Sequence, residues 1–255
     1  MKRVVVKVGS AVLTQDGKIA LQRMQDLVDF LAKLKEKYEV VLVSSGAVAG
    51  GYTKLQLDRK ILSNKQALAA IGQPVLMHKY MKKFAKYEQL VAQVLVTAAN
   101  LNTQDDIQRI RATVETLLQN NVIPIVNEND ATATDELEVG DNDQLSAYIT
   151  KSIDADMLVI LSDIDAYYES DPRKNSDAKV IKRVSQIDKD ALQKQATPNN
   201  IFATGGIVTK LKAANYLLNA DKEMFLASGF NLDDVRSFML DGQHKGGTLF
   251  SKKEK

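Results

Sequence analysis

An α/β fold on a mainly parallel sheet is what the sequence predicts, and three observations predict it. Short apolar runs, rich in Val, Leu and Ile, recur at residues 4–8, 39–43, 90–96, 122–126, 156–161 and 223–227. Stretches with apolar residues at helical spacing separate several of them, making strand–helix–strand units whose crossovers place successive strands parallel. The length, 255 residues, suits one large α/β domain or two modest lobes.

Each element has its own signal. Residues 4–8, Val-Val-Val-Lys-Val, read as a buried strand closed by Gly9-Ser10. Lys7 stands at its C-terminal end. A lysine there either reaches solvent or faces a ligand, because ligands collect beyond the carboxyl ends of strands in open α/β sheets. Gly9 permits close backbone approach, and Ser10 offers a hydroxyl. Leu21, Met24, Leu27, Val28, Leu31 and Leu34 mark an amphipathic helix. Residues 39–43 form the second strand, followed at once by Ser44-Ser45-Gly46-Ala47. Small residues at that point either leave N–H groups free for an anion or make a tight connection.

Residues 64–71 read as a helix stopped by Gly72-Gln73-Pro74, and residues 75–87 as a separate helix with Met77, Tyr80, Met81 and Phe84 as its apolar stripe. Residues 90–96 are the third strand. Ile107, Ile110, Val114, Leu117 and Leu118 mark a further helix ending at Asn120-Asn121, and residues 122–126 are the fourth strand. A helix over residues 145–153 begins near Asp141 or Asn142, and residues 156–161 are the fifth strand, running into Ser162-Asp163. Asp171-Pro172-Arg173 is a turn signal. Residues 174–200 are polar and give no assignment. Thr204-Gly205-Gly206-Ile207-Val208-Thr209-Lys210 leads into a helix carrying Leu211, Ala214, Leu217 and Leu218. A Gly pair before a helix is either a phosphate seat at its positive end or a flexible lead-in, and its spacing to Lys210 is not that of a Walker A loop. Residues 223–227 and 246–250 are the last strands.

Composition narrows the function classes. Hydrophobic residues make up 45% and charged residues 26%, as in ordinary globular proteins. The 34 basic and 32 acidic residues leave a net charge of +2, which does not point to nucleic acid. With no Cys, thiolate chemistry is excluded, and the two histidines, His78 and His244, stand far apart. No apolar run reaches membrane-spanning length and the N-terminus lacks a signal peptide, so the expected location is cytoplasmic.

Residues 127–143 are the most unusual stretch. They hold seven acidic residues and three Asn directly after a buried strand. Clustered carboxylates and amides at a strand tip are costly to leave without partners, so a small polar ligand, a cation or lysines from elsewhere are expected there. A hairpin over residues 131–139 is plausible on its alternation. Asp141, Asn142 and Asp143 could also serve as helix caps, although one cap needs only one such residue.

Taken in order, Val6-Lys7-Val8-Gly9-Ser10, Val43-Ser44-Ser45-Gly46-Ala47, Asn127-Glu-Asn-Asp130, Gly140-Asp-Asn-Asp143, Asp171-Pro-Arg173 and Thr204–Lys210 resemble the motifs of amino acid kinases. The resemblance covers essentially the whole chain. It is nearest to the members that phosphorylate the side-chain carboxylate of L-glutamate with ATP at the head of proline biosynthesis. With the pattern above, it implies a three-layer α/β/α sandwich on a mainly parallel central sheet. One domain of two lobes is implied, residues up to about 150 for the amino acid and the rest for the nucleotide.

Carried over by position, the resemblance implies that Lys7 and Lys210 flank the transferred phosphoryl group and that Asp143 holds both lysines. Gly9, Ser10 and Gly46 would donate to the same oxygens. Ser45, Asp130 and Asn142 would bind glutamate, Asp130 through its ammonium. Ser162 and Asp163 would contact the nucleotide, and Thr204, Gly205, Gly206, Ile207, Val208, Thr209 and Lys210 would cradle its phosphates. Mg²⁺ would ride on ATP without dedicated protein ligands. L-proline would inhibit by feedback, and a homo-oligomer, dimer or tetramer, is implied, with no nucleic-acid or membrane partner. The sequence departs from the family pattern twice: Ser162 replaces a frequent Thr, and the chain ends soon after Gly-Thr-Leu-Phe250, where many members continue into a PUA-like domain. The rival readings are a kinase of acetylglutamate, aspartate, carbamate or UMP, and a non-catalytic sensor on the same fold.

Overall fold

The apolar runs assemble into one eight-stranded sheet. The computed structural model describes residues 1–132, 142–172, 174, 175, 177–193 and 206–253. Among them the chain runs β1 (Lys2–Val8), α1 (Ser10–Leu13), β2 (Thr14–Gln15), β3 (Lys18–Ile19), α2 (Leu21–Leu34), β4 (Tyr38–Val43), α3 (Ala47–Tyr52), α4 (Leu62–Phe84), β5 (Val91–Val96), α5 (Gln104–Gln119) and β6 (Ile123–Glu128). It continues through α6 (Asn142–Ser152), β7 (Met157–Ser162), β8 (Arg183–Val184), α7 (Lys189–Gln193), α8 (Gly206–Asn219), β9 (Glu223–Ser228), α9 (Asp233–Asp241) and β10 (Thr248–Phe250).

The strand order is β5-β6-β4-β1-β7-β9-β10-β8. The first six are mutually parallel, β10 runs antiparallel to β9, and β8 lies parallel to β10. Parallel strands covered on both faces need apolar residues on both, and β1 supplies them. Val4, Val6 and Val8 pack into the layer containing α2, α4 and α9. Val5 points the other way, into the layer containing α5, α6 and α8. The three-layer α/β/α sandwich is therefore present. The C-terminal ends of β1, β4, β6 and β7 fall along one edge, and Lys7 sits there, level with Val43 of β4 and Ile160 of β7. None of the helices described is long and apolar enough to cross a membrane.

Residues 62–84 correct the sequence reading. Gly72-Gln73-Pro74 does not divide two helices, because α4 runs through it unbroken. Pro74 forgoes one helical hydrogen bond at a cost of about 3 kcal/mol. Burial of Leu68, Leu76, Tyr80 and Phe84 along the same helix offsets that cost. Gly72 has a different task, letting α3 lie against α4. A Cβ there would come 1.7 Å from the Ala47 carbonyl oxygen, and one on Gly51 would come 1.9 Å from that of Leu68. Gly72→Ala is accordingly expected to cost about 1–3 kcal/mol through overpacking, read as a lowered urea midpoint. An unchanged midpoint would show that the two helices can part freely.

Several elements had no counterpart in the sequence reading. Asp16 and Gly17, with φ of 50° and 72°, make the tight turn of the β2–β3 hairpin, an Asp-Gly signal left unread. The short α1, α3 and α9 were also missed, as were β8 and α7 within the polar residues 174–200. Two-residue strands and helices of four to six residues, as in α1, α3 and α7, carry too few residues for a period to show, whereas α9 is nine residues long. The hairpin expected over residues 131–139 lies largely outside the described residues, as does Arg173 of the Asp171–Arg173 turn.

Candidate active site

Buried charge is concentrated at one point on the sheet edge. Lys7 projects from the end of β1, Asp143 from the first turn of α6 and Lys210 from the first turn of α8. All three are buried, Lys7 and Lys210 at 4% exposure and Asp143 at 0%. One carboxylate holds both ammonium groups. Lys7 donates to Asp143 Oδ1, and Lys210 donates to Oδ2 at 2.9 Å. Thr209 adds a hydroxyl bond to Oδ2 at 3.0 Å, and Lys210 also donates to the Gly206 carbonyl at 3.0 Å. Burial alone would raise the Asp143 pKa, but the charges of Lys7 and Lys210 outweigh it and hold the carboxyl below its ordinary value. The result is a fixed cluster of two cations and one anion.

The small residues around it serve this cluster. Gly9 is anchored by its N–H to the Leu161 carbonyl at 3.0 Å. A Cβ at position 9 would stand 3.8 Å from the Lys7 ammonium, at ordinary contact distance, so the Gly9 backbone lies directly beside the lysine. Gly46 adopts φ 96°, a left-handed conformation that glycine takes without strain, and turns the chain from β4 into α3.

Beside the cluster opens a cavity of about 360 Å³, bordered by Lys7, Ser10, Ser45, Gly46, Asp130 and Asn142. Six residues expected at the site from sequence thus border one space. Asn142 is its joint: its amide donates to the Ser44 carbonyl at 2.7 Å, Ser45 Oγ at 3.0 Å and Asn127 Oδ1 at 3.1 Å. Asn127 in turn donates to Gln73 Oε1 at 2.9 Å. Asn142 and Asp143 are the first two residues of α6 itself. The other candidate cap, Asp141, lies outside the described residues.

Two carboxyls face the same cavity. Burial raises the Asp130 pKa, with Lys65 opposing. Glu128 is pushed up to about 7 by burial, with Asp130 adding to the rise and Lys65 opposing it. Both would gain from an incoming cationic group, which relieves the desolvation of the ionised form. Glu128, Arg59 and Lys65 also line the cavity but were given no role by sequence reasoning. Arg59 and Lys65 lie in or before the first turn of α4, more than 60 residues from Glu128 and Asp130, so no spacing could signal them.

The remaining expected residues are more dispersed. Gly206, Ile207, Val208, Thr209 and Lys210 form the first turn of α8, which presents backbone N–H groups beside Lys210. Thr204 and Gly205 lie outside the described residues. Ser162 is 2% exposed and its hydroxyl serves its own turn, donating to Asp163 Oδ1 at 2.8 Å and accepting from the Ile164 N–H at 3.2 Å. Asp163 is exposed beside it. Neither borders the cavity.

A parallel sheet flanked by helices, with paired lysines at its C-terminal edge beside an acid-lined cavity, defines a protein of the amino acid kinase class. Comparison with known proteins agrees: the amino acid kinase family matches residues 2–228, and the chain belongs to that family. Within it the chain groups with the glutamate 5-kinases. It is 50% identical over 250 residues to that of Leishmania donovani, covering 98% of this chain and 95% of the other. It is also 50% identical over 255 residues to that of Wolinella succinogenes, covering 98% of each. Among solved structures, carbamate kinase from Giardia lamblia bound to AMP-PNP superposes with a TM-score of 0.68 at 17% identity, covering 99% of both chains. That likeness shows a shared fold.

Proposed function

We propose that this chain transfers the γ-phosphoryl group of ATP to the side-chain carboxylate of L-glutamate, giving L-glutamyl 5-phosphate, the first step of proline biosynthesis. The observation that carries the reading is the buried Lys7–Asp143–Lys210 cluster beside a cavity that holds Asp130. In this reading the first 150 or so residues supply the amino-acid cavity, and the later ones supply the phosphate side.

The chemistry follows from charge. A glutamate side-chain oxygen attacks the γ-phosphorus, the bond from that phosphorus to the bridging oxygen breaks, and ADP leaves with the electron pair. The nucleophile is already ionised at pH 7, so no group need take a proton. Catalysis therefore rests on alignment and on neutralising charge spread over the phosphoryl oxygens. Lys7 and Lys210 would meet those oxygens, joined by N–H groups from the first turn of α8 and from the turn around Gly46. Asp143 is the positioning residue, fixing both ammonium groups before substrate arrives so that little reorganisation is needed in the transition state. Mg²⁺ would arrive on the ATP phosphates, supplying further neutralisation there. Mg²⁺ dehydrates reluctantly and would keep several waters there, so few dedicated protein ligands would be needed.

The test is acceptor-dependent ADP release from ATP, run with a panel of acceptors, with hydroxylamine trapping the acyl phosphate formed on a carboxylate acceptor. L-glutamate should give product, while N-acetylglutamate, aspartate, carbamate and UMP should not. Preference for the acetylated substrate would overturn the reading, since Asp130 calls for a free ammonium. Asp130→Ala supplies the finer check. Losing a charge-assisted hydrogen bond should raise the glutamate KM by about 10- to 100-fold while the ATP KM stays within about 2-fold. An equal rise in both constants would remove Asp130 from the amino-acid seat.

A further inference from the structure

The cavity has a charge balance that the proposed roles leave incomplete. In the proposed reaction, on which this inference rests, the acceptor is an amino acid bearing three charges. Its side-chain carboxylate must lie at the Lys7 end, where phosphoryl transfer occurs. Its ammonium goes to Asp130. The backbone carboxylate then has no partner, and it must sit in a space that already contains the Glu128 and Asp130 carboxyls. A third carboxylate placed there without a cation would be strongly disfavoured.

Besides Lys7, the cavity wall contains two cations, Arg59 and Lys65. Lys65 is exposed in the first turn of α4, and its charge is felt by both Glu128 and Asp130. It therefore stands on the acid-lined side of the space. Its ammonium can turn toward a ligand without breaking a salt bridge among the described residues. Arg59 lies beside it, with its guanidinium over the Tyr52 ring at 4.4 Å from the centroid, a cation–π contact that orients it.

We propose that Lys65 binds the backbone carboxylate of the amino-acid substrate, with Arg59 as its outer neighbour, so that the cavity selects a zwitterion. Asp130 and Lys65 then read the two charges on the α-carbon, while the Lys7–Asp143–Lys210 cluster meets the side-chain end. Glu128 faces Lys65 in the empty cavity and yields it to the substrate carboxylate on binding. The device rejects simple dicarboxylic acids, which lack the ammonium, and ω-amino acids, which lack the second carboxylate.

Lys65→Met, Lys65→Arg and the wild-type chain test this with L-glutamate as substrate and 4-aminobutyrate as competitor. The latter is glutamate without its backbone carboxylate. Lys65→Met should raise the glutamate KM by about 10- to 100-fold, with kcat and the ATP KM within about 3-fold. Lys65→Arg should recover most of the loss. Inhibition by 4-aminobutyrate should be the same in wild type and Lys65→Met. Because Lys65 is exposed, the thermal midpoint of each variant should match wild type, which separates binding from folding. An unchanged glutamate KM in Lys65→Met would overturn the proposal, as would equal weakening of glutamate and 4-aminobutyrate. The KM result decides alone if 4-aminobutyrate competes too weakly to measure. Absence of any glutamate turnover by the wild-type chain would instead overturn the proposed reaction.

Discussion

Asp143→Asn is expected to cost about 3–5 kcal/mol of folding stability at pH 7, because it leaves two buried ammonium groups without a counter-charge. For a chain of this size that is a fall in Tm of roughly 6–20 °C. The wild-type side chain is fully buried and bonded to Lys7, Lys210 and Thr209, so solvent cannot take its place. An asparagine can still accept through its one amide oxygen, but it carries no charge and its NH₂ would confront an ammonium. The pH dependence has a definite sign. Asp143 is held below its ordinary value of 3.8, so its contribution is complete above that value and is lost as pH falls through the folded-state pKa. The gap between wild type and variant should therefore be full at pH 7 and close only in acid. Thermal melts of both proteins from pH 7.5 down to about pH 2 measure it, with the gap closing only below the ordinary carboxyl value. A variant melting within about 2 °C of wild type at pH 7 would mean that the three charges are not coupled as described.

Lys210→Met is expected to lower kcat by about 10²–10³-fold, the usual effect of removing one fixed donor from developing oxyanion charge. The glutamate KM should stay within about 3-fold, since the lysine lies on the phosphate side at the start of α8. Its ammonium is positioned in advance by Asp143 and by the Gly206 carbonyl, so the loss falls on the transition state rather than on substrate binding. Steady-state rates taken well below the melting temperature separate this from the partial unpairing of Asp143. A variant that kept its turnover and lost only glutamate affinity would move Lys210 to the amino-acid side.

These two experiments address residues whose identity was legible in the sequence and whose relation was not. Lys7 could be singled out as a lysine at the end of a buried strand, and Lys210 as the residue closing a Gly-rich helix start. Nothing in either local pattern distinguishes a solvated lysine from one with 4% exposure. Asp143 was equally consistent with a helix cap. Only the resemblance of the ordered motifs to a known family joined the three, and it did so by analogy. The joining contact spans 136 residues on one side and 67 on the other.

The chain by itself determined the sheet and its two covering layers, because strand and helix patterning are local. The unbroken valine run of β1 and the 3.6-residue stripe of α2 state which faces must be buried whatever they are buried against. It also determined that polar groups collect after β1, β4 and β6. Tertiary structure decided what local rules cannot express. Pro74 stays inside α4 because the surrounding burial outweighs its missing hydrogen bond, and Gly72 is a contact point rather than a stop because the backbone of α3 occupies the space of its Cβ. Arg59 and Lys65 border the same cavity as Glu128 and Asp130, a meeting of distant stretches that only the tertiary structure brings about. The upward shift of Glu128 was decided in the same way. Burial pushes its carboxyl up to about 7, with Asp130 adding and Lys65 opposing, and desolvation is a property of the enclosure.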